Sequence, residues 1–295
     1  MRPFAFYAPG SLPEALTLLQ EQGQGGRLLA GGTDLLVQMK ERDLAPRYVV
    51  SLRNVREVQA ITFEADGGVT IGARVSMREI ELNPRIRANY PALAEAAGMI
   101  GSIQVRNLAT LGGNVCNAAP SADTGPALIA LAATALIAGP DTMRELPVEE
   151  LFQGPGRTGL QPGEILTAIR LPAPAPQSGS AYMRHTPRAE LDIAVVGAAA
   201  ALRLDGDMIV DARVALGAVA PVPLRMPGVE AALKGKPATA ATLAAAAEVA
   251  AGEVRPISDQ RGSESFRRTL SAVLTRRVLE RALAAAQAGE AVAHG

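Results

Sequence analysis

The chain has 295 residues, 48% hydrophobic and 20% charged, enough to bury a sizeable core in one large domain or two ordinary ones. With 29 basic and 29 acidic residues, no Trp, four Tyr and five Phe, it has neither the basic field nor the stacking platforms of a nucleic-acid binder. The single cysteine, Cys116, excludes an internal disulfide and a four-cysteine iron–sulfur site, and neither His185 nor His294 stands among metal ligands.

At the N-terminus, Pro3 and Pro9 interrupt a segment with no apolar export core, which predicts a cytoplasmic protein. Residues 13–20 repeat apolar positions at helical spacing after Ser11, a cap candidate. Residues 27–30 read as a strand, 31–33 as a glycine turn, 34–42 as a helix capped by Thr33, and 48–52 as a second strand. Together they make a β-α-β unit ending near residue 53. A strand is predicted over 69–73 after the Asp66-Gly67-Gly68 turn, then helices near 76–82 and 90–98, with 100–114 mostly loop. The apolar run at 126–139 is too short to span a bilayer and reads as a buried helix, or as helix or strand over 126–138.

Residues 164–171 alternate like a strand, and the proline-rich stretch 172–180 reads as an exposed linker. Two strand-like runs, 193–204 and 209–219, flank the hairpin signal Asp205-Gly206-Asp207. Alanine-rich helices are expected over 239–252 and 262–288, from simple propensity. His294 is expected in a solvated tail, and Cys116 as a small buried thiol.

The chemistry is concentrated in two glycine segments, Ala30-Gly31-Gly32-Thr33-Asp34-Leu35 and Thr110-Leu111-Gly112-Gly113-Asn114. Glycine admits positive φ and carries no Cβ to hold a ligand away. Successive N–H groups in such a turn form a concave anion site, to which a helix start adds partial positive charge. Strand, glycine turn and helix follow one another at the first segment, an arrangement suited to phosphate. Neither segment matches G-x-G-x-x-G or the P-loop, and either alone reads equally as a turn. Asp34 suits a phosphate site only if its carboxylate turns away from the ligand.

Leu28-Leu29-Ala30-Gly31-Gly32-Thr33-Asp34-Leu35 and Gln104-Val105-Arg106-Asn107-Leu108-Ala109-Thr110-Leu111-Gly112-Gly113-Asn114 closely resemble the FAD-binding signatures of molybdenum hydroxylase flavoprotein subunits. That family includes the medium subunit of aerobic carbon monoxide dehydrogenase and the flavin domain of xanthine dehydrogenase. The likeness continues through Pro120-Ser121-Ala122-Asp123, Gly163-Glu164-Ile165-Leu166, and Arg184 ahead of Asp192-Ile193-Ala194.

The resemblance implies an α+β chain: a two-lobed FAD-binding domain of the vanillyl-alcohol-oxidase/PCMH type over 1–175 (lobes 1–55 and 56–175), then a smaller α+β domain over 181–288 with a short antiparallel sheet. It implies that backbone N–H groups of residues 30–35 and 110–114 grip the FAD pyrophosphate from two sides. Leu28 and Leu29 belong to the first motif. Asn114 would orient its loop or touch the ligand, or serve only as a turn residue. Asp123 would accept from ribityl hydroxyls or flavin N3–H, or cap a helix.

Leu166 and Arg184 match further cofactor-contacting positions, although Leu166 equally suits a core. Arg184 stands where xanthine dehydrogenase has lysine, which keeps the charge but changes its hydrogen-bond geometry. Ile100 falls where vertebrate enzymes place an aromatic. Spacing leaves open whether Arg106 and Asn107 touch FAD or shape the turn.

By the same resemblance FAD is non-covalent, and molybdopterin and two [2Fe–2S] clusters reside on a large and a small partner subunit, in a dimer of heterotrimers. The chain would pass electrons from the iron–sulfur subunit to an external acceptor. The alternative is a stand-alone flavin oxidoreductase with the same FAD-domain type, although no acid or base for a substrate cleft stands out. Neither nucleic acid nor membrane insertion is expected.

Overall fold

The computed structural model describes residues 1–188 and 191–293, so His294 lies outside the described residues. Strands Ala5–Tyr7, Gly26–Leu29 and Tyr48–Ser51 pair in parallel, with Tyr48–Ser51 in the middle. Parallel neighbours need crossover connections, and helices Leu12–Gln22 and Leu35–Glu41 supply them. Ser11 caps the first, its hydroxyl accepting from the Glu14 N–H at 3.3 Å. The central strand is buried throughout, and Tyr48 and Val50 pack with Ala15, Leu52 and Val55. The β-α-β unit is therefore present, joined by an edge strand at Ala5–Tyr7 that is too short to show in the residue pattern. Thr33 is not the cap: the second helix begins at Leu35, and Asp34 takes the cap position without a side-chain cap bond.

A five-stranded antiparallel sheet follows, in the order Ile61–Phe63, Val69–Gly72, Ile165–Leu171, Thr134–Ala138, Met143–Pro147. Its central strand comes late in the chain, after the helices that cover the sheet. Those helices include Met77–Leu82, which starts with a Ser76/Glu79 capping box, and Pro91–Gly98. The region 100–114 is more helical than expected: Ser102 caps Ile103–Arg106 and Thr110 caps Leu111–Asn117. The hydroxyl bonds of those two caps offset the helix cost of the glycines. The run 126–139 is not one helix either. It divides into Thr124–Ala130 and the strand Thr134–Ala138, separated by Ala132 at φ 54°.

The C-terminal part is an antiparallel sheet built on Ser178–His185, Val196–Asp205 and Met208–Gly217, packed against helices Ala240–Glu253 and Glu264–Ala293. Gly206 at φ 55° forms the expected hairpin turn. The linker is shorter than expected, because Ser178 already pairs with Arg203. Between the two halves lies a seam of small side chains, Ala92, Ala96, Ala127, Ala130 and Ala199, closed around Tyr182. Among the described residues no helix is long and apolar enough to cross a membrane.

Candidate functional site

The two glycine segments meet. A Cβ on Gly31 would stand 1.9 Å from the Leu108 carbonyl oxygen, so only glycine lets the first turn lie against the second segment. Gly112 is equally confined, with a Cβ position 2.6 Å from the Ala73 Cβ. Gln38 Nε2 donates to Asn117 Oδ1 at 3.2 Å and joins the helices that leave the two segments. Along this junction runs a cleft of about 710 Å³, within the size range of ligand sites.

Residues 30–35 all line the cleft, and among the described residues none of their backbone N–H groups donates to a protein acceptor. Gly32 bends the turn at φ 77°, a conformation costly for any residue with a Cβ. A run of unpaired backbone donors at a cleft wall can meet an anion, and the last of them are the open N–H groups at the start of the helix Leu35–Glu41. Burial raises the pKa of Asp34, and the Arg42 charge opposes that shift.

The second segment spends most of its amides within the fold. The Leu111 N–H donates to Val75 O, Gly112 to Ala73 O, Gly113 to Thr110 Oγ1 and Asn114 to Thr110 O, at 2.8–3.1 Å. Those four amides are used to seat the helix Leu111–Asn117 on the sheet, whereas the Thr110 N–H donates to no protein acceptor among the described residues. Neither Gly112 nor Gly113 has positive φ. What this side offers the cleft is the low wall of Thr110, Gly112, Gly113 and Asn114. Asn114 Oδ1 accepts from Thr124 Oγ1 at 2.5 Å, which orients its amide.

Of the other expected residues, Leu28, Ile100, Asp123, Leu166 and Arg184 line the cleft. Leu29 and Leu111 do not: Leu29 packs beneath Gly32, and Leu111 is fully buried in the core behind the wall. Arg106 shapes its loop, pairing with Glu81 at 2.8 Å and donating to Ile100 O at 3.1 Å. Cys116 borders the cleft, but burial pushes its thiol up to about 12, so it stays protonated and unreactive.

Asp123 sits where a helix cap would, yet its side chain makes no cap bond. Its Oδ1 accepts from the Tyr182 hydroxyl at 2.6 Å and its Oδ2 from Arg184 Nη1 at 2.7 Å. Burial raises the Asp123 pKa, and Arg184 and Tyr182 oppose that shift. Asp192, which also lines the cleft, is held by Arg188 and Arg261 and bonds the Ile193 N–H at 2.8 Å. Tyr182 escaped the sequence reading. Its position two residues before Arg184 in a strand, on the same face, was the available signal.

The description "FAD binding domain in molybdopterin dehydrogenase" matches residues 2–174, and "CO dehydrogenase flavoprotein C-terminal domain" matches 181–282. The xanthine dehydrogenase FAD-binding subunit of Escherichia coli O157:H7 is 35% identical over 283 residues, 96% of this chain and 97% of that protein. The carbon monoxide dehydrogenase medium chain of Hydrogenophaga pseudoflava is 34% identical over 281 residues, 95% of this chain and 97% of its own length. The solved carbon monoxide dehydrogenase from Hydrogenophaga pseudoflava superposes with a TM-score of 0.92 at 35% identity, covering 97% of this chain and 99% of that one. With the FAD-binding domain and the C-terminal flavoprotein domain both matched, and relatives aligned over nearly their whole length, the chain belongs to the FAD-binding medium subunits of the molybdenum hydroxylases.

Proposed function

We propose that the cleft binds FAD non-covalently and that the chain relays electrons from a [2Fe–2S] subunit of a molybdopterin enzyme to an external acceptor. The observation that carries the cofactor reading is the unpaired backbone donors of residues 30–35 beside the glycine-confined wall of the second segment. They suit a pyrophosphate, whose charge needs several donors and whose bulk needs missing Cβ atoms. Asp123 and Arg184 lie along the same cleft and would meet the polar groups of the remaining moieties. Bound flavin would supply the redox chemistry, accepting electrons singly or in pairs. The chain's own residues bind, orient and shield it.

The only cysteine is a partly buried thiol at the cleft edge, and the described residues include no cluster of metal ligands. Molybdopterin and iron–sulfur centres therefore belong, in this reading, to a large and a small partner subunit, assembled as a dimer of heterotrimers. Division into units at 1–175 and 181–288 fits this scheme, the second completing the docking face. The stand-alone flavin oxidoreductase remains the competing reading. Co-expression with a large molybdopterin subunit and a small [2Fe–2S] subunit decides between them: a stoichiometric complex whose flavin absorption bleaches when substrate reduces the large subunit is expected. A monodisperse monomer purified from cells making all three chains would refute the relay.

A further inference from the structure

Arg184 reaches the cleft with one nitrogen committed and two available. Nη1 pairs with Asp123, while Nε and Nη2 donate to no protein acceptor among the described residues. Its side chain is 5% exposed, so its direction is set by what holds it, and among the described residues the anion paired with it is Asp123. Asp123 is in turn held by Tyr182, whose hydroxyl donates to the other carboxylate oxygen.

Tyr182 does not itself line the cleft and is fully buried in the seam. Its backbone is tied on both sides, the N–H donating to Glu95 Oε2 at 2.7 Å and the carbonyl accepting from Arg281 Nη1 at 3.3 Å. Across the strand pair, a Cβ on Gly197 would stand 2.7 Å from the Tyr182 hydroxyl, so the neighbouring strand leaves room for this phenol. Burial and the Asp123 charge both raise the phenol pKa, which keeps it a donor.

We propose that Tyr182 is a positioning residue for the cofactor: its hydroxyl fixes Asp123, and Asp123 then fixes the guanidinium of Arg184 so that Nε and Nη2 serve the bound ligand. The proposal rests on the reading of the cleft as the FAD site. A tyrosine that merely filled the seam would affect stability alone. One that positions Arg184 also changes how the ligand is held.

The full chain, stripped of flavin and titrated with FAD, tests this with three variants. Tyr182→Phe keeps the ring and removes the donor, and Gly197→Ala keeps the donor and displaces it. Each is expected to weaken FAD binding about tenfold, the equivalent of one well-placed charged hydrogen bond, and to move the visible absorption band of bound flavin. Val229→Ala trims a fully buried side chain of the C-terminal core that does not line the cleft; it is expected to lower the unfolding temperature and leave affinity and band at their wild-type values. Wild-type affinity and spectrum in Tyr182→Phe, or an equal change in Val229→Ala, would overturn the positioning role. Failure of the wild-type chain to bind FAD would instead overturn the cofactor reading, and the inference with it.

Discussion

Gly32→Val separates the demands of the ligand from those of the fold. Gly32 has φ 77°, and a Cβ there would lie 3.0 Å from Leu29 Cδ1 and 3.1 Å from Leu36 Cδ1. Both contacts are with the ends of flexible side chains, and Leu36 is partly exposed, so crowding is relieved cheaply. The strain of a β-branched residue at positive φ is harder to relieve and costs about 1–2 kcal/mol. Relief comes by turning the backbone toward negative φ, which redirects the neighbouring N–H groups. Two lost bonds to a charged pyrophosphate are worth about 3 kcal/mol, near a hundredfold in affinity.

Gly206→Val is the matched control. Gly206 has φ 55° in a hairpin turn, with nothing within 4 Å of its Cβ position and no part in the cleft. The stripped Gly32 and Gly206 variants should unfold within about 1 kcal/mol of each other, while only Gly32→Val loses FAD at micromolar cofactor. Differential scanning calorimetry and fluorescence titration on the same preparations read both quantities. Full flavin occupancy in folded Gly32→Val would refute the assignment of this turn to the pyrophosphate. Gly113→Val should behave differently. Gly113 is helical and its Cβ would press on Thr110 Oγ1 at 2.8 Å, so the damage is to a helix cap and appears chiefly as lost stability.

Acid precipitation of the yellow protein should release all the flavin into the supernatant, and colour kept in the pellet would contradict non-covalent binding. Cys116 should be silent to a disulfide reagent at pH 8 until the chain is unfolded, because burial holds its thiol near 12. The folded thiol keeps its proton to higher pH than the unfolded value of 9.0, so stability from this group is complete below pH 9 and falls as pH rises toward 12. Cys116→Ala should flatten that alkaline decline, measured by denaturant midpoints across pH 8–11. Asp123→Ala leaves the nearly buried Arg184 charge unpaired at the cleft wall and should cost about 3–5 kcal/mol. Tyr182→Phe removes only a hydrogen bond, at about 1 kcal/mol. Urea unfolding that ranks the two in the opposite order would show that the pair does not anchor the seam.

Local signals of short range were enough for part of this protein. Apolar spacing and Ser11 marked the first helix, Asp205-Gly206-Asp207 marked the hairpin, and the order of the glycine motifs marked the family, because each depends on residues close together in the chain. Helix boundaries near the cleft were less legible. Two glycines suggested a loop, but bonds from their amides to Ala73 and Thr110 held a helical turn in place. The split of 126–139 likewise followed from pairing with Ile165–Leu171, a strand distant in sequence.

The sequence could name Asp123 and Arg184 without saying that they bond to each other, since 61 positions separate them. It could place both glycine segments near a phosphate without showing which one keeps its donors free. That depends on which backbone groups find partners elsewhere in the fold, and the 111–114 amides find theirs while those of 30–35 do not. Composition and motif order determined what kind of cofactor the chain is built around. Only the tertiary contacts decided which atoms are left to hold it, because a donor is available to a ligand only when the rest of the chain has not already satisfied it.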